Sequence, residues 1–573
     1  MTRTTRKNQT NVMNTITFEL LAPRNENVKV LGSWNDWQPT PMQRQDNGTW
    51  CVDVELADGD YKYQYQLISN SKQLQGRVIT IADPTALQYS PDADTINCTL
   101  LKIRNGQCVL TRYQWQYDDV PLPPNEQLVI YELHLADFRG GPGDTDEAEG
   151  TFQRFIDKLD YLVDLGINAI QLIPINETAG DDYWGYSQRS IYAVENTYGS
   201  PDDFCRLVDE CHRRGIRVIH DAVFNHMNEQ SPLAQMDYGY WFYEENPDEP
   251  DLQFGPKFNY EYHDNKLDIW PARQHVINAI NLWINLFHID GVRLDSTRAV
   301  KHYELLQWFN DEMHHQAEEK PFYTIAEHLP QDPSITGVNG PIDGAWHDNF
   351  YRQLIDTVLG VADENHEPFV TDEIIRLLDA RQDGFDSSYN TVNYLNNHDL
   401  ERVMYLLGAQ AHTFDDAAFR RNKLGASLLL TAPGIPMLWM GEEFGQATQK
   451  SEDRQPLHWS LLNNERNKGL WLHYQHLIRL RRSNPALYSD NIEIIANLAD
   501  RGIIAFKRWD EKGNVILVVT NLMPHYAGQV ELTSAAIEDG RWREAIYNYE
   551  VTTQEHRLVD NLGESEVKIY IKC

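Results

Sequence analysis

The sequence predicts a (β/α)8 barrel that follows an N-terminal β-sandwich and precedes a C-terminal β-sandwich. Between about residues 128 and 444, short apolar runs alternate with amphipathic helical segments, which is typical of a parallel sheet wound with helices. Before residue 121 and after residue 486, short segments alternate apolar and polar residues between turn signals, as half-buried strands do. The two patterns therefore predict α/β and all-β parts within one chain.

Size and charge narrow the range of functions. The chain has 573 residues, too many for one hydrophobic core, and a formal net charge of −35. A polyanion would be repelled by such a surface, so we expect neither nucleic acid nor an anionic membrane as a partner. A neutral polysaccharide carries no such penalty. No run of about 18 apolar residues is present, so we expect no transmembrane helix.

The cysteines and the N-terminus predict a cytoplasmic protein. Six cysteines are scattered along the chain without a C-x-x-C pair, which favours reduced thiols over a disulfide framework. The basic residues at the N-terminus are not followed by the apolar segment of a secretory signal. We expect residues 1–13 to form a disordered tail.

The N-terminal domain is predicted over residues 14–120. Asp46-Asn47-Gly48 and Asp58-Gly59-Asp60 are turn signals between its strands, and the stiff Pro121–Pro124 segment marks its end. Short strands separated by such turns favour a β-sandwich. The predicted strands are Thr15–Leu21, Val28–Leu31, Thr49–Leu56 and Tyr61–Tyr65.

The barrel domain is predicted over residues 121–485. About 45 residues separate its third strand from the helix at Pro271, so we expect an inserted domain at about 227–270. The predicted barrel strands are Leu128–Phe138, Ala169–Ile175, Ile216–His226, Gly291–Ser296, Phe322–Leu329, Gly344–Trp346, Thr391–Asp399 and Pro436–Phe444.

Local signals support the helices between these strands. Phe152, Phe155, Leu159 and Leu162 follow helical spacing, and Gly166 can end that helix in the left-handed conformation. Ser200-Pro201-Asp202-Asp203 resembles a capping box with proline at the first helical position.

Alternating segments return in the predicted C-terminal domain, residues 486–573. They predict a second small β-sandwich. The segments are Ile492–Ile495, Gly502–Arg508, Val515–Asn521 and Val567–Ile571.

Polar residues end several of the predicted barrel strands. Active sites of (β/α)8 barrels lie at the C-terminal ends of the strands, so these residues are candidates for chemistry. An aspartate after an apolar run is often only a helix cap, but four coincident cases are harder to explain in that way. The third strand ends with Asp221 to His226, the fourth with Arg293 to Asp295, the fifth with Glu327-His328 and the seventh with Asn396 to Asp399.

Several carboxylates without a thiol or metal cluster point to glycoside cleavage. One carboxylic acid must protonate the leaving oxygen, while a second carboxylate attacks or stabilises the oxocarbenium-like centre. Arg293 and Asp295 are two apart on a strand and share one face, so the guanidinium would keep Asp295 ionised. Glu327, one strand away, could stay protonated in more apolar surroundings.

These segments together resemble the α-amylase family, glycoside hydrolase family 13. The four motifs of the family appear in order as DAVFNH at 221–226, GVRLDSTRA at 291–299, the glutamate of IAEHL at 325–329 and NNHD at 396–399. The resemblance spans about residues 125 to 573 and implies a (β/α)8 barrel with an insertion after its third strand and a C-terminal β-sandwich.

The resemblance implies roles for single residues. Asp295 resembles the nucleophile, Glu327 the general acid/base and Asp399 the third acid, which stabilises the distorted transition state. Asp221 resembles structural support for the site. The remaining matches contact the sugar at the cleavage point, and they are Arg293, His226, His398 and the stacking aromatic Tyr186.

The same resemblance bears on cofactors. It implies that no cofactor is required. Asn225 matches a calcium ligand in many members, but no further calcium ligands can be recognised in the sequence. We therefore assign no metal-binding residue and leave a calcium site open.

The segment Val30–Trp37 resembles carbohydrate-binding module family 48. Such modules precede the barrel in branching, debranching and trehalose-releasing members. Trp37 matches a glucan-stacking position in some of them, and the alternative is that it is a packed strand residue.

The resemblance implies a retaining enzyme that hydrolyses α-1,4 bonds of glycogen, starch or malto-oligosaccharides inside the cell. Arg298-Ala299 replaces the Lys-His of typical α-amylases, and Asn397 replaces the serine of branching enzymes. A branching enzyme or other 4-α-glucanotransferase is therefore the first alternative, and debranching or trehalose release are further ones. A catalytically silent glucan-binding scaffold would not need all three carboxylates. The sequence does not fix the oligomeric state.

Overall fold

The computed structural model describes residues 12–91, 97–139, 150–179, 184–361 and 369–573. The predicted tail at 1–13 lies outside these residues except for its last two positions. The chain divides into two compact units. The first comprises residues 1–116, 174–207 and 223–288, and the second comprises residues 117–173, 208–222 and 289–573.

The N-terminal part of the first unit consists of antiparallel sheets. One sheet has the order β1-β5-β4, and the other has the order β3-β2-β6-β8-β9, with β7 also paired to β6. Phe18 and Tyr63 pack with ring centroids 5.1 Å apart, and a β-rich N-terminal domain is thus confirmed. The strands are β1 Met13–Leu21, β2 Glu26–Gly32, β3 Thr40–Pro41, β4 Gln43–Arg44, β5 Thr49–Ala57, β6 Gly59–Ile68, β7 Val78–Ile81, β8 Thr99–Arg104 and β9 Gln107–Cys108.

A closed parallel barrel forms the centre of the second unit. Each strand pairs with the next along the chain, and the first closes on the last with Ile130 opposite Met437. The (β/α)8 prediction is therefore confirmed. The barrel strands are β10 Ile130–Leu133, β11 Ala169–Leu172, β12 Arg217–Ala222, β13 Gly291–Leu294, β14 Tyr323–Ala326, β15 Gly344–Trp346, β16 Thr391–Tyr394 and β17 Ile435–Trp439.

The interior of the barrel explains its apolar runs. Strands of a parallel barrel are covered on both faces, so their sequences are continuously apolar rather than alternating. Buried core residues include Ile130, Ile219, Ile325, Val392 and Met437. Most predicted strands extend too far at their C-terminal ends, because the chain leaves the sheet before the polar residues that follow.

The helices confirm two local predictions and correct one. Gly166 ends a helix at φ 102°, in the left-handed region. The Ser200 hydroxyl accepts from the Asp203 N–H at 3.3 Å, and the Ser200 N–H donates to Asp203 Oδ2 at 3.0 Å, which is a capping box. The single helix predicted from Phe152 is two helices, because the backbone at Lys158 (φ −107°, ψ −3°) departs from helical geometry.

Helices both flank the barrel strands and occur in the first unit. Within the described residues, none is long and apolar enough to cross a membrane. The helices are α1 Leu135–Phe138, α2 Phe152–Ile156, α3 Leu159–Leu165, α4 Pro201–His212, α5 Pro232–Trp241, α6 Pro271–Asn285, α7 Thr297–Val300, α8 Tyr303–Ala317, α9 Asp348–Leu359, α10 Thr371–Leu378, α11 Val403–Ala409, α12 Asp415–Thr431, α13 Glu465–Ser483 and α14 Pro485–Tyr488.

The C-terminal strands also belong to the second unit. One sheet has the order β18-β19-β20-β25-β22-β23, and β21 pairs with β24. Their apolar faces enclose a core around Leu517, Ile537 and Trp542. The strands are β18 Ile492–Leu498, β19 Ile503–Trp509, β20 Val515–Asn521, β21 Gly528–Thr533, β22 Gly540–Glu544, β23 Glu550–Thr553, β24 Arg557–Leu562 and β25 Glu566–Lys572.

Candidate active site

Two of the candidate carboxylates follow neighbouring barrel strands. Leu294 of β13 lies opposite Ala326 of β14, so the next residues along each strand, Asp295 and Glu327, leave the barrel at the same level. The Asp295 N–H donates to the Ala222 carbonyl at 3.1 Å, and the Glu327 N–H donates to the Leu294 carbonyl at 3.1 Å. The sheet register therefore brings these two side chains together.

One guanidinium holds three carboxylates. Arg293 is fully buried, and its Nη1 lies 2.6 Å from Asp221 and 3.1 Å from Asp295. Its Nη2 lies 2.7 Å from Glu327. The guanidinium carbon lies 4.5 Å from the ring centroid of Trp346 on β15, which fixes the plane of the group. One positive charge thus faces three acids.

This excess of acidic groups favours the protonated form of Glu327. Burial raises the pKa of Glu327, the Arg293 charge opposes that effect, and Asp295 and Asp399 raise it further, to about 7. Burial also raises the pKa of Asp221, to about 6, although Arg293 opposes the shift. A carboxyl with a pKa near 7 can both donate and accept a proton near neutral pH.

The turn after β13 positions Glu327. Ser296 lies at φ 41°, an uncommon conformation for a non-glycine residue, and its N–H donates to Glu327 Oε2 at 2.8 Å. The N–H and hydroxyl of Thr297 both donate to the Glu327 carbonyl, at 2.9 and 2.8 Å. These contacts fix the backbone and the carboxyl of the candidate acid.

Asp399 and His398 lie beyond the end of β16. The His398 ring is buried, and its Nε2 lies 3.4 Å from Asp399 Oδ2. Asp399 is the most exposed of the three candidate acids, with 41% of its side chain accessible. Burial raises its pKa, but His398, Arg293 and Lys450 outweigh burial and lower it. Asp399 is therefore an ionised group open to a ligand.

The other predicted site residues belong to the first unit. His226 is buried, its Nδ1 bonds to Asn225 Oδ1, and its ring lies 5.5 Å from that of Phe254. Tyr186 is half-buried and follows Gly185, whose φ of 90° turns the chain. Trp37 is also half-buried, at φ 60°.

A calcium site would depend first on Asn225. Asn225, the residue matched to a calcium ligand, has its side-chain oxygen bonded to His226. Among the described residues, no group of three or more His, Cys, Asp or Glu side chains could hold a metal ion.

Comparison with known protein families shows which family the chain belongs to. The profile of the alpha amylase catalytic domain matches residues 132–469, more than half of the sequence. This chain belongs to the alpha-amylase family, glycoside hydrolase family 13. The profile of carbohydrate-binding module 48, the isoamylase N-terminal domain, matches residues 5–86. The protein is thus an alpha-amylase-family enzyme with an N-terminal module of that type.

Curated relatives within this alpha-amylase family differ in activity. The chain is 28% identical to a malto-oligosyltrehalose trehalohydrolase of Saccharolobus solfataricus, over 75% of this chain and 74% of the relative. It is 26% identical to a 1,4-alpha-glucan branching enzyme of Xanthomonas campestris pv. campestris, over 96% of this chain and 76% of the relative.

Solved structures of a pullulanase and of an alpha-amylase share the fold of this chain. A pullulanase from Anoxybacillus sp. LM18-11, in complex with maltotetraose, aligns with a TM-score of 0.78 at 19% identity, over 98% of this chain and 86% of that chain. An Anoxybacillus alpha-amylase aligns with a TM-score of 0.68 at 24% identity, over 79% of this chain and 99% of that chain.

Sequence reasoning missed several residues around the carboxylates of this alpha-amylase-family site. Glu132 contacts His398, Trp346 packs on Arg293, and Ser296 and Thr297 bond to Glu327. For Glu132 a signal was present, since a charged residue in the middle of a buried barrel strand needs a specific partner. The others carry no distinguishing sequence signal.

Proposed function

We propose that this enzyme hydrolyses α-1,4-glucosidic bonds of glycogen, starch or malto-oligosaccharides with retention of configuration. The observation that carries the proposal is the Arg293 bridge between Asp295 and Glu327. The same cation contacts a candidate nucleophile and an acid whose pKa is raised to about 7. Retaining glycosidases need a carboxylate nucleophile and a protonated carboxyl group on the two sides of the glycosidic bond.

In the first step, the Asp295 carboxylate attacks the anomeric carbon while Glu327 gives its proton to the glycosidic oxygen. The bond from the anomeric carbon to that oxygen breaks, and a glycosyl ester of Asp295 forms. Arg293 stabilises the carboxylates before and after the charge moves. Asp399, ionised and accessible, accepts hydrogen bonds from sugar hydroxyls.

In the second step, Glu327 takes a proton from water as that water attacks the anomeric carbon. The ester bond breaks, Asp295 leaves as a carboxylate, and Glu327 is protonated again. Two inversions give net retention. We also propose that Tyr186 and His226 contact sugar, as their match to residues of the alpha-amylase family implies.

Hydrolysis is preferred over transfer for two reasons in the sequence. The last motif reads Asn397-His398-Asp399, without the serine of branching enzymes. The residues after the nucleophile are Ser296-Thr297, where branching enzymes usually have alanine-rich residues. The second candidate is a 1,4-α-glucan branching enzyme or another glucanotransferase, because a branching enzyme matches 96% of this chain. The two candidates differ in whether water or a sugar hydroxyl takes the glycosyl group.

Incubation with amylose separates the two candidates. Hydrolysis produces new reducing ends in step with the loss of iodine colour. Branching changes the colour with few new reducing ends and creates α-1,6 linkages that isoamylase cleaves. A result of the second kind would replace hydrolysis by transfer, and inactivity on every α-glucan would contradict both.

The N-terminal module would hold polymeric substrate through Trp37. Its ring is half-buried in a turn after Ser33–Asn35, and a φ of 60° is strained for so large a residue. Trp34, by contrast, packs 5.0 Å from the ring of Phe18. Trp37→Ala should weaken retention on amylopectin about threefold to tenfold, as expected for one lost stacking contact.

Turnover of maltotriose provides the control for this variant. Trp37→Phe keeps an aromatic ring and should retain most of the polymer binding. Equal losses on polymer and on maltotriose would point to a folding defect and overturn a binding role for Trp37.

We also propose that the enzyme is cytoplasmic and needs no metal. None of the six cysteines, all of which lie in the described residues, forms a disulfide, which fits a reducing compartment. Dialysis against EDTA should leave the rate on amylose and the melting temperature unchanged. A loss that calcium restores would show a metal requirement.

A further inference from the structure

Glu132 is a buried charge in the first barrel strand. It lies in β10 among Ile130, Tyr131 and Leu133, and none of its surface is accessible. An isolated carboxylate in such a place is costly, so a specific partner must compensate for its lost hydration. The identity of that partner indicates what Glu132 does.

The partner is His398, which follows the seventh strand. Glu132 Oε1 lies 2.8 Å from His398 Nδ1, and Glu132 Oε2 accepts from the His398 backbone N–H at 3.1 Å. Gln171 of β11 donates to Oε1 at 3.1 Å, which fixes the carboxylate plane. One carboxylate thus holds both the ring and the main chain of His398.

More acidic than basic groups surround His398. Asp399 lies 3.4 Å from its Nε2 and Glu132 lies at its Nδ1, while Arg293 and Asp221 act on it at longer range. The rings of Trp346 and Trp439 lie 6.0 and 6.2 Å from the His398 ring. Burial lowers the pKa of His398, but Asp399 and Glu132 outweigh it, so the pKa rises to about 9.

We propose that Glu132 is a positioning residue that holds His398 as a fixed, doubly protonated imidazolium beside Asp399. With Nδ1–H donated to Glu132, the second proton is on Nε2, so this atom is a charged donor. A neutral ring with the same Nδ1–H bond would present Nε2 as an acceptor instead. Glu132 therefore decides whether His398 donates to or accepts from a sugar hydroxyl.

This role deepens the proposed function and rests on it, but its first test needs no activity. Histidine labelled with 13C at Cε1 would be titrated by NMR in the full-length protein, with the His398 signal assigned by its loss in His398→Asn. In the wild type we expect a midpoint near pH 9. A wild-type midpoint at or below the ordinary value of about 6.5 would overturn the inference.

Glu132→Gln keeps the shape of the side chain and removes its charge. The His398 midpoint should fall by at least about one pH unit, because one of its two carboxylate neighbours is gone. Glu442→Gln is the matched control and should leave the His398 midpoint unchanged, since Glu442 is also buried in the second unit but accepts from Tyr474 at 2.8 Å. Its pKa of about 8 makes the exchange nearly neutral in charge at pH 7.

Kinetics on α-maltosyl fluoride link this charge to catalysis. Fluoride leaves without a proton from Glu327. The fall of kcat/KM at alkaline pH therefore reports the loss of a proton from His398 rather than from Glu327. In the wild type this fall should lie near pH 9. Glu132→Gln should move it to lower pH and reduce kcat/KM at pH 8 on the order of tenfold, as expected for a lost charge-assisted donor.

A double variant separates positioning from mere packing. In a His398→Asn background, Glu132→Gln should cost less than twofold, because the partner through which Glu132 acts is already absent. A full additive loss would show that Glu132 acts elsewhere and would overturn the proposal. Inactivity of the wild type on every α-glucan would contradict the proposed function, while the NMR titration would still decide the protonation of His398.

Discussion

Strand β13 carries a buried charged cluster at each end, and the two clusters are built differently. At its C-terminal end, one guanidinium faces the three carboxylates of Asp221, Asp295 and Glu327. At its N-terminal end lies a second group, here the basal cluster, formed by Asp290, His212, Lys320 and Arg217. Asp290 lies 2.9 Å from His212 Nε2, 2.6 Å from Lys320 Nζ and 2.7 Å from the Val218 N–H.

The two ends of β13 differ in their ratio of acidic to basic groups. In the basal cluster burial raises the pKa of Asp290, but His212 and Lys320 outweigh it, so the pKa is lowered and the group stays ionised. At the other end acids exceed bases, and the pKa of Glu327 rises to about 7. A neutralised cluster stabilises the barrel, whereas an acid-rich one retains a proton for chemistry.

The sharpest test of this contrast is Asp295→Asn. An amide cannot form the glycosyl ester, so turnover of amylose should fall by on the order of 10⁴- to 10⁶-fold, while the melting temperature should change little. Asp221→Asn, in the same cluster, should leave measurable turnover. Near-wild-type activity of Asp295→Asn would remove the nucleophile assignment.

Glu327→Gln tests the retained proton. Because the acid must be protonated, kcat/KM on amylose in the wild type should fall about tenfold for each pH unit above about 7. In the variant, kcat/KM should no longer fall above about pH 7, and the rate should be about 10²- to 10⁴-fold lower than in the wild type. Its first step on maltosyl fluoride should be spared. An unchanged alkaline limb in the variant would assign that proton to another group.

Asp290→Asn tests whether the basal cluster stabilises the barrel. The free energy of unfolding should fall by about 3–5 kcal/mol, because His212 and Lys320 lose their buried counterion. The folded pKa of Asp290 is depressed, so its contribution is present above about pH 4 and is lost at lower pH. The folded pKa of His212 is raised to about 9, so its contribution is complete below about 6.5 and is lost as pH rises through 9.

Urea unfolding should therefore show the largest deficit of Asp290→Asn between about pH 4 and 6.5. At pH 6 the kcat of the variant should equal that of the wild type. Asp311→Asn on the exposed face of α8 is the control and should change stability by less than about 0.5 kcal/mol. A lowered kcat with an unchanged free energy of unfolding would show that the basal cluster acts in catalysis rather than in stability.

Lys320→Met should have the smallest effect. The side chain of Lys320 is 28% exposed, and His212 and the Val218 N–H still bond to Asp290 without it. We expect a loss of about 1–2 kcal/mol in the free energy of unfolding, measured in urea at pH 6. A loss as large as that of Asp290→Asn would show that Lys320 alone neutralises the aspartate.

Much of this arrangement could be predicted from local sequence. The apolar runs that end in Asp295 and Glu327 predict both the barrel and the neighbourhood of the two acids, because adjacent parallel strands end at one edge. The strand predicted over Thr391–Asp399 ends at Tyr394, since its last residues leave the sheet. Periodicity cannot detect such a departure, because Leu395, the first residue beyond the strand, is as apolar as Val392 within it.

Long-range partners could not be predicted in the same way. Trp346 packs on Arg293 from a strand three residues long, and Glu132 pairs with a residue 266 positions away. Such contacts depend on strand order and barrel closure rather than on local pattern. The predicted domain boundaries at 120, 227–270 and 485 stay predictions.

The pairing of Glu132 with His398 also bears on how the enzyme forms. Its two members lie 266 residues apart, so the contact closes a very long loop and cannot exist in a local folding unit. During synthesis the site stays incomplete until residue 399 has left the ribosome, long after the first strand has emerged. The proposed activity would therefore appear late in biogenesis, once the chain from the first barrel strand to residue 399 has folded together.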